Sequence, residues 1–415
     1  MNLFFIISLL IILSAVYSYI NARFIKLPGT IGVISIAIVG SMAITFVNSL
    51  YPGIAKHITK LATDINFSRT VLNIMLGFLL FATAFNVDTR KLKKEMRPVL
   101  ILSTLGVILS TAIFGGIFYW VMFLLDKDIP LLYCFIFGAL VSPTDPISVA
   151  AIVKNSKLPQ NLETIISGES LFNDGLGLVL FVTLLEIADA GLNNIDFADA
   201  AVLFIKEVFG GMGLGAITGY VGFRLMRSID DFQTIVLVSF ALVMANSVVA
   251  YLYHLSIPIA VVTAGLFAGS RSINMNNRER SHQALEKFWG LIDEMLNTVL
   301  FVMIGLQMIN YPNMDNYWLI GGISIITILA ARWLSIMLPL TFLRRSLNVN
   351  YGSINILTWA GVRGGISIAL ALSLPSSPYK YTILSAAYFI VIFSVIVQGL
   401  TLNKLINATY GKLKN

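Results

Sequence analysis

The sequence predicts an all-α polytopic membrane protein with thirteen transmembrane helices, and three observations carry that prediction. Hydrophobic residues make up 57% of the chain and charged residues 12%, against about 25% charged in a soluble domain; the mean hydropathy is +0.85. Thirteen apolar runs follow one another, most of them about as long as the ~20 residues a helix needs to cross the hydrocarbon core. None alternates like a transmembrane strand, and a helix satisfies its backbone groups within one segment, so helices are expected rather than a barrel.

The runs lie near 3–20, 28–49, 69–87, 98–124, 130–153, 163–187, 199–223, 232–253, 256–270, 289–309, 316–342, 351–374 and 380–403. The first has no basic residue ahead of it and ends Tyr17-Ser18-Tyr19-Ile20, so it reads as a span rather than a cleaved leader. The fifth is interrupted by Ser142-Pro143-Thr144-Asp145-Pro146, where two prolines remove donors and disfavour helix before them. The sixth carries Gly168-Glu169-Ser170-Leu171-Phe172-Asn173-Asp174-Gly175. An ionised acid at that depth costs at least ~2.5–3.5 kcal/mol and marks a functional site, with cation transport the first chemistry to test. In the seventh, Lys206-Glu207 read as snorkelling interface residues. The ninth is short and begins near Pro258. Asp293-Glu294 sit inside the start of the tenth, either lining an ion funnel or favoured there by the helix dipole. Arg332 falls within the eleventh, and Gly361-Val362-Arg363-Gly364-Gly365 interrupts the twelfth, each glycine weakening helix by up to ~1 kcal/mol. Asn246 and Asn297 read as helix-to-helix hydrogen bonds. His57, His254 and His282 fall at span ends or in loops and read as solvated. Cys134 is the single cysteine, which excludes an internal disulfide framework.

The net charge of +7 reports topology. Most of the 28 basic residues lie in one alternating set of loops: Arg23, Lys26, the run 90–97, Lys154, Lys157, Arg224, Arg227, Arg271–Lys287, Arg344, Arg345 and the tail lysines 404, 412 and 414. Basic short loops stay cytoplasmic, which places the N-terminus outside and the C-terminus inside. The run 90–97 is a topogenic anchor with anionic lipid as a secondary contact. A soluble nucleic-acid binder would not show a bias that alternates loop by loop. The longest hydrophilic connection, 271–288, is too short to fold alone, so no extramembrane domain is expected.

The two interrupted spans are seven apart and therefore oppositely oriented. Six spans, a linker and six spans would form two inverted six-helix repeats, with discontinuous helices at matching positions around a midplane ion site. Three acids, Asp145, Glu169 and Asp174, share that depth with Arg332 and Arg363. Guanidinium groups stay protonated, so pairing both leaves one carboxylate over. Arg332 is the natural partner of Glu169, and Asp145 and Arg363 can offset half-helix ends. Asp174 remains, with Ser170 one turn away on its face, although other pairings stay open. Desolvation favours a neutral carboxyl, so a proton and a bare alkali ion can compete for such a group.

Thr144-Asp145-Pro146, Gly168 to Gly175 and Gly361-Val362-Arg363-Gly364, in that order, resemble the sodium/proton exchangers of the monovalent cation:proton antiporter-1 family, over essentially the whole chain. The resemblance implies a homodimer in a cell membrane that exchanges Na+ (with Li+ or K+ as alternatives) for H+ and uses no cofactor. It implies a dimerisation domain from 1–97 and 199–309, an ion-translocating core from 98–198 and 316–403, crossed helices 5 and 12, and a cytoplasmic tail at 404–415. It assigns Asp174 as ion ligand and proton carrier, with Ser170, the Thr144 carbonyl and Asp145 as further ligands. Glu169 is paired with an arginine, Arg332 here, and the Asn173-Asp174 pair goes with electroneutral one-for-one exchange. One position departs: prokaryotic members often carry a glutamate where this chain has Ala82, leaving Thr83 or water to compensate. A K+/H+ antiporter of the same architecture and a cation channel are the alternatives. A membrane enzyme finds no motif, since the chain has no His-Glu-x-x-His, no Gly-x-Ser-x-Gly and no histidine deep in a span.

Overall fold

A computed structural model describes residues 3–51, 67–145, 149, 156–190, 197–269, 278–309, 317–342 and 353–410, and every regular element among them is helical. In chain order the main ones are α1 (Leu3–Ile20), α2 (Gly29–Leu50), α3 (Leu76–Asn86), α4 (Met96–Leu124), α5 (Leu131–Val141), α6 (Gln160–Ala190), α7 (Phe197–Ser228), α8 (Phe232–Leu252), α9 (Ile257–Ala268), α10 (Arg278–Met308), α11 (Trp318–Phe342), α12 (Ile354–Trp359), α13 (Gly365–Ser373), α14 (Lys380–Phe393) and α15 (Gly399–Tyr410). A single π-helical turn, Val71–Met75, leads into α3, and another, Ser394–Gln398, joins α14 to α15.

Helices α8 and α9 start on side-chain caps. Asp231 caps α8 by accepting from the Thr234 N–H at 2.8 Å, and the Ser256 hydroxyl caps α9 through Ile259 N–H at 3.4 Å. Pro258 and Pro98 each sit in a first turn, where a missing N–H leaves no bond unmade. Nine helical stretches among the described residues are long and apolar enough to cross a membrane. Helices α3, α5 and α9 are apolar but shorter, and α12 and α13 are separated by non-helical backbone. The tenth apolar run belongs to a helix that starts earlier, at Arg278. The second half of the expected fifth span, with Pro146, lies outside the described residues, as do His57 and the loop basic residues Lys154 and Arg271.

Two sets of helices pack among themselves. One contains α4, α5, α6 and α11 to α14; the other contains α1 to α3 and α7 to α10. They meet where α6 touches α7 and α9 and where α13 touches α10 and the segment before α3. The first set is centred on Phe114, Phe118 and Phe137, with ring centroids 4.9–5.6 Å apart. The second is centred on Trp289 against Phe81 at 4.8 Å. The close packing of α7 on α9 depends on Gly211, Gly215 and Gly219 at four-residue spacing. A Cβ at Gly219 would stand 2.7 Å from Ala264 Cα, so only glycine permits this approach. Asn246 crosses from α8 to α7, accepting from the Thr218 hydroxyl at 2.9 Å. Outward-facing Ile217, Leu237 and Ile326 are 68–70% exposed, a surface suited to lipid.

Candidate ion-binding site

The site is built where two helices stop short. Helix α5 ends at Val141, and the non-helical stretch Ser142–Asp145 that follows contains Pro143, which has no N–H to continue a helix. Opposite it, α12 ends at Trp359 and non-helical backbone runs through Gly364 to the start of α13 at Gly365. The two breaks are joined directly by the Asp145 N–H donating to the Val362 carbonyl at 2.7 Å. Arg363, 2% exposed, donates from Nη1 to the carbonyls of Ser142 at 2.5 Å and Pro143 at 3.1 Å. Its charge thus sits on the negative end of α5. Asp145 lies against the first turn of α13, so closely that a Cβ on Gly364 would stand 2.8 Å from Asp145 Cβ and 3.0 Å from its Oδ2.

Helix α6 supplies the acids. Glu169 and Arg332 form a bidentate pair at 2.6 and 2.7 Å, both buried. Asn173, one turn on, acts as a clamp on the α5 break: its Nδ2 donates to Thr144 Oγ1 at 2.8 Å while its Oδ1 accepts from the Thr144 N–H at 3.2 Å. The same Nδ2 lies 3.4 Å from Glu169 Oε1, and Ser170 shares a hydrogen with Thr144 Oγ1 at 2.8 Å. A continuous polar chain therefore runs from Arg332 to Thr144.

Asp174 stands apart from that chain. It is 3% exposed and lines a cavity of about 30 Å3 with Thr83, Pro143, Thr144, Asp145, Asn297 and Ser367. That volume suits one or two waters or a bare monovalent ion. Among the described residues none makes an ion pair or hydrogen bond with the Asp174 carboxylate. The charges that act on it through space are Asp145 and Arg363.

The structure thus brings Thr144, Asp145, Glu169, Ser170, Asn173, Asp174, Arg332 and Arg363 into one cluster. Ser170 belongs to the supporting chain and does not line the cavity. Ala82 is fully buried in the apolar cluster around Phe81 and Trp289, while Thr83 reaches the cavity and bonds its own helix at Leu79 O, 3.0 Å away. Asn297, expected to bridge helices, instead donates to the Asp293 carbonyl of its own helix at 2.9 Å and faces the cavity. Asp293, one turn earlier, is within electrostatic reach of Asp145. Ser367 is not singled out by its sequence context, yet its buried Oγ has no hydrogen-bond partner among the described residues, a state that costs about 1–3 kcal/mol unless an ion or water relieves it. His254, two residues past the end of α8, has a left-handed backbone (φ 52°) and does not line the cavity.

Two interrupted apolar helices that meet beside a buried carboxylate on a third, unbroken one define a membrane transporter. The family described as sodium/hydrogen exchanger, transmembrane, matches residues 9–408, and the chain belongs to that family. It is similar to the Na(+)/H(+) antiporter NhaP of Pseudomonas aeruginosa, 38% identical over 98% of this chain and 97% of that protein. It is also similar to the Na(+)/H(+) antiporter NhaH of Halobacillus aidingensis, 32% identical over 97% of each. Its fold matches the structure of the sodium proton antiporter MjNhaP1 from Methanocaldococcus jannaschii at pH 8, with a TM-score of 0.80 and 19% identity over 99% of this chain and 100% of that one.

Proposed function

We propose that the chain exchanges a monovalent cation, Na+ or Li+, for H+ one for one, with both competing for Asp174. The observation that carries this reading is the buried Asp174 carboxylate, facing a water-sized cavity with no partner among the described residues. Thr144 and Asp145 complete the ligand set, Ser170 and Asn173 hold Thr144 in place, and Thr83 stands in for the acid replaced by Ala82. The Ser367 hydroxyl offers a further oxygen.

Charge bookkeeping supports the stoichiometry. Glu169 and Arg332 cancel, and Asp145, Asp174 and Arg363 sum to −1. One proton or one alkali ion brings the site to zero. Carrying the bare site past an apolar helix interface would expose an uncompensated charge to low dielectric, so only the loaded site moves, and that enforces exchange. The set containing α4 to α6 and α11 to α14 would be the mobile core of a thirteen-span, inverted-repeat protein. The set containing α1 to α3 and α7 to α10 would be the homodimerising scaffold, in a cell membrane with the N-terminus outside. Alternating access then amounts to rocking one set against the other.

The test uses reconstituted vesicles with an internal pH dye. Addition of Na+ should collapse a preset pH gradient through the wild type and not through Asp174→Asn, which should melt like the wild type. A mutant that still couples Na+ to proton movement would remove Asp174 from the mechanism. Repeating the additions with Li+ and K+ decides between sodium-type and potassium-type exchange.

A further inference from the structure

A second cavity, distant in function from the first, opens on the outer side of α11, α12 and α15. Its volume is about 840 Å3, within the 300–1,000 Å3 of typical small-molecule sites. Trp333, Trp359, Ile326, Leu329 and Leu405 form most of its wall, with Lys404 and Asn355 at its rim.

Two indole hydrogen bonds fix which residues share a depth. Trp359 Nε1 donates to Thr401 Oγ1 at 2.8 Å, and Trp333 Nε1 donates to Asn355 Oδ1 at 3.3 Å. Lys404 follows Thr401 by three residues and Asn355 precedes Trp359 by four, about 4.5 and 6 Å along helices that run in opposite directions. Both therefore lie toward the same membrane face, the one where the Ser353 hydroxyl meets the Tyr410 hydroxyl at 3.0 Å. Ile326 lies about 10 Å deeper on α11. Lys404 is also about 36 Å along the helix from Lys380, more than the ~30 Å hydrocarbon thickness, which puts it at headgroup level when Lys380 is at the other interface.

The groove is thus polar at one end only, and polar in one sense. At the shallow end Lys404 finds no ion-pair partner among the described residues, and Asn355, whose Oδ1 is used by Trp333, presents its NH2. Both are donors, which suits an anion. Along the rest of the groove the polar groups are already spent: both indole N–H groups are bonded, and the Thr358 hydroxyl donates to the Ile354 carbonyl at 2.8 Å. We infer that this groove binds one acyl chain of an anionic phospholipid, with the headgroup phosphate held by Lys404 and Asn355. The bound lipid would buttress α12 immediately behind the break and α11 beside Arg332, since Trp333 follows that arginine directly.

Tryptophan quenching tests the assignment on the full-length protein in vesicles. Phosphatidylglycerol or phosphatidylcholine with brominated chains is added in increasing mole fraction to unbrominated phosphatidylcholine. The signal of Trp333 and Trp359 is obtained by subtracting that of a Trp333→Phe, Trp359→Phe variant. One lysine at an anionic headgroup is worth about 1 kcal/mol, so half-quenching should need about fivefold less phosphatidylglycerol than phosphatidylcholine. Lys404→Gln should erase that difference and Lys404→Arg should keep it. Equal quenching by the two headgroups in the wild type, or an undiminished difference in Lys404→Gln, would overturn the assignment.

Discussion

Replacing Arg332 with alanine isolates the Glu169 carboxylate at a place where it cannot reach water. Glu169 is 1% exposed and Arg332 3%, and the two contacts between them, at 2.6 and 2.7 Å, account for both carboxylate oxygens. Asn173 Nδ2, at 3.4 Å, is too distant to take over. Removing one member of a buried pair costs about 3–5 kcal/mol, a large share of the ~5–15 kcal/mol that holds a typical protein folded. Arg332→Ala should therefore melt several degrees below the wild type in detergent, compared at one fixed scan rate because such unfolding is commonly irreversible. The companion variant Glu169→Gln, Arg332→Met removes both charges at nearly constant volume and should recover most of the loss. A single variant that melts with the wild type, or a double variant no better than the single, would refute the view that desolvation of an orphaned carboxylate sets the cost.

Three further outcomes are expected. Ser367→Ala deletes a buried hydroxyl that has no partner among the described residues, so the melting midpoint should hold or rise, while the cation concentration for half-maximal exchange increases; an unchanged half-saturation point would exclude that hydroxyl from the site. Gly364→Ala would press on Asp145 at 2.8–3.0 Å, and overpacking of this kind costs about 1–3 kcal/mol, so both the midpoint and cation affinity should fall together. The exposed Asp231 carboxyl is held below the ordinary carboxylate range by hydrogen bonds from the Thr234 hydroxyl and N–H. Its capping contribution is therefore complete above that range and fades as pH falls through the depressed value. The protection of amides in the first turn of α8, measured as exchange relative to the intrinsic rate at each pH, should fall at low pH in the wild type and be low throughout in Asp231→Ala.

The apolar runs were legible because lipid forces every crossing segment to be oily and helical: the run near 98–124 is α4 at 96–124, and that near 232–253 is α8 at 232–252. The breaks were legible because proline and glycine punctuate a chain visibly. Helix α10 was read too short because its first turns are polar and carry no hydropathy signal. The cavity wall was harder. A threonine or serine in a membrane helix usually bonds back to its own carbonyls, as Thr83 does, and sequence does not separate that habit from a hydroxyl that also lines a site. Asn297 was misread for the same reason, since an amide inside a span serves a neighbouring helix or its own equally well. Ser170 lies one turn before Asp174, yet its hydroxyl is drawn to Thr144, which depends on how the α5 break folds over α6.

The link between the two interruptions, Asp145 N–H to Val362 carbonyl, is made wholly of main chain. Apart from proline at 145, no exchange of side chain deletes it, so ligands can drift through substitution while the crossover joint stays riveted. Cutting it cleanly calls for an amide-to-ester replacement at residue 145, which would leave every side chain in place and ask whether the two half-helices travel as a single lever.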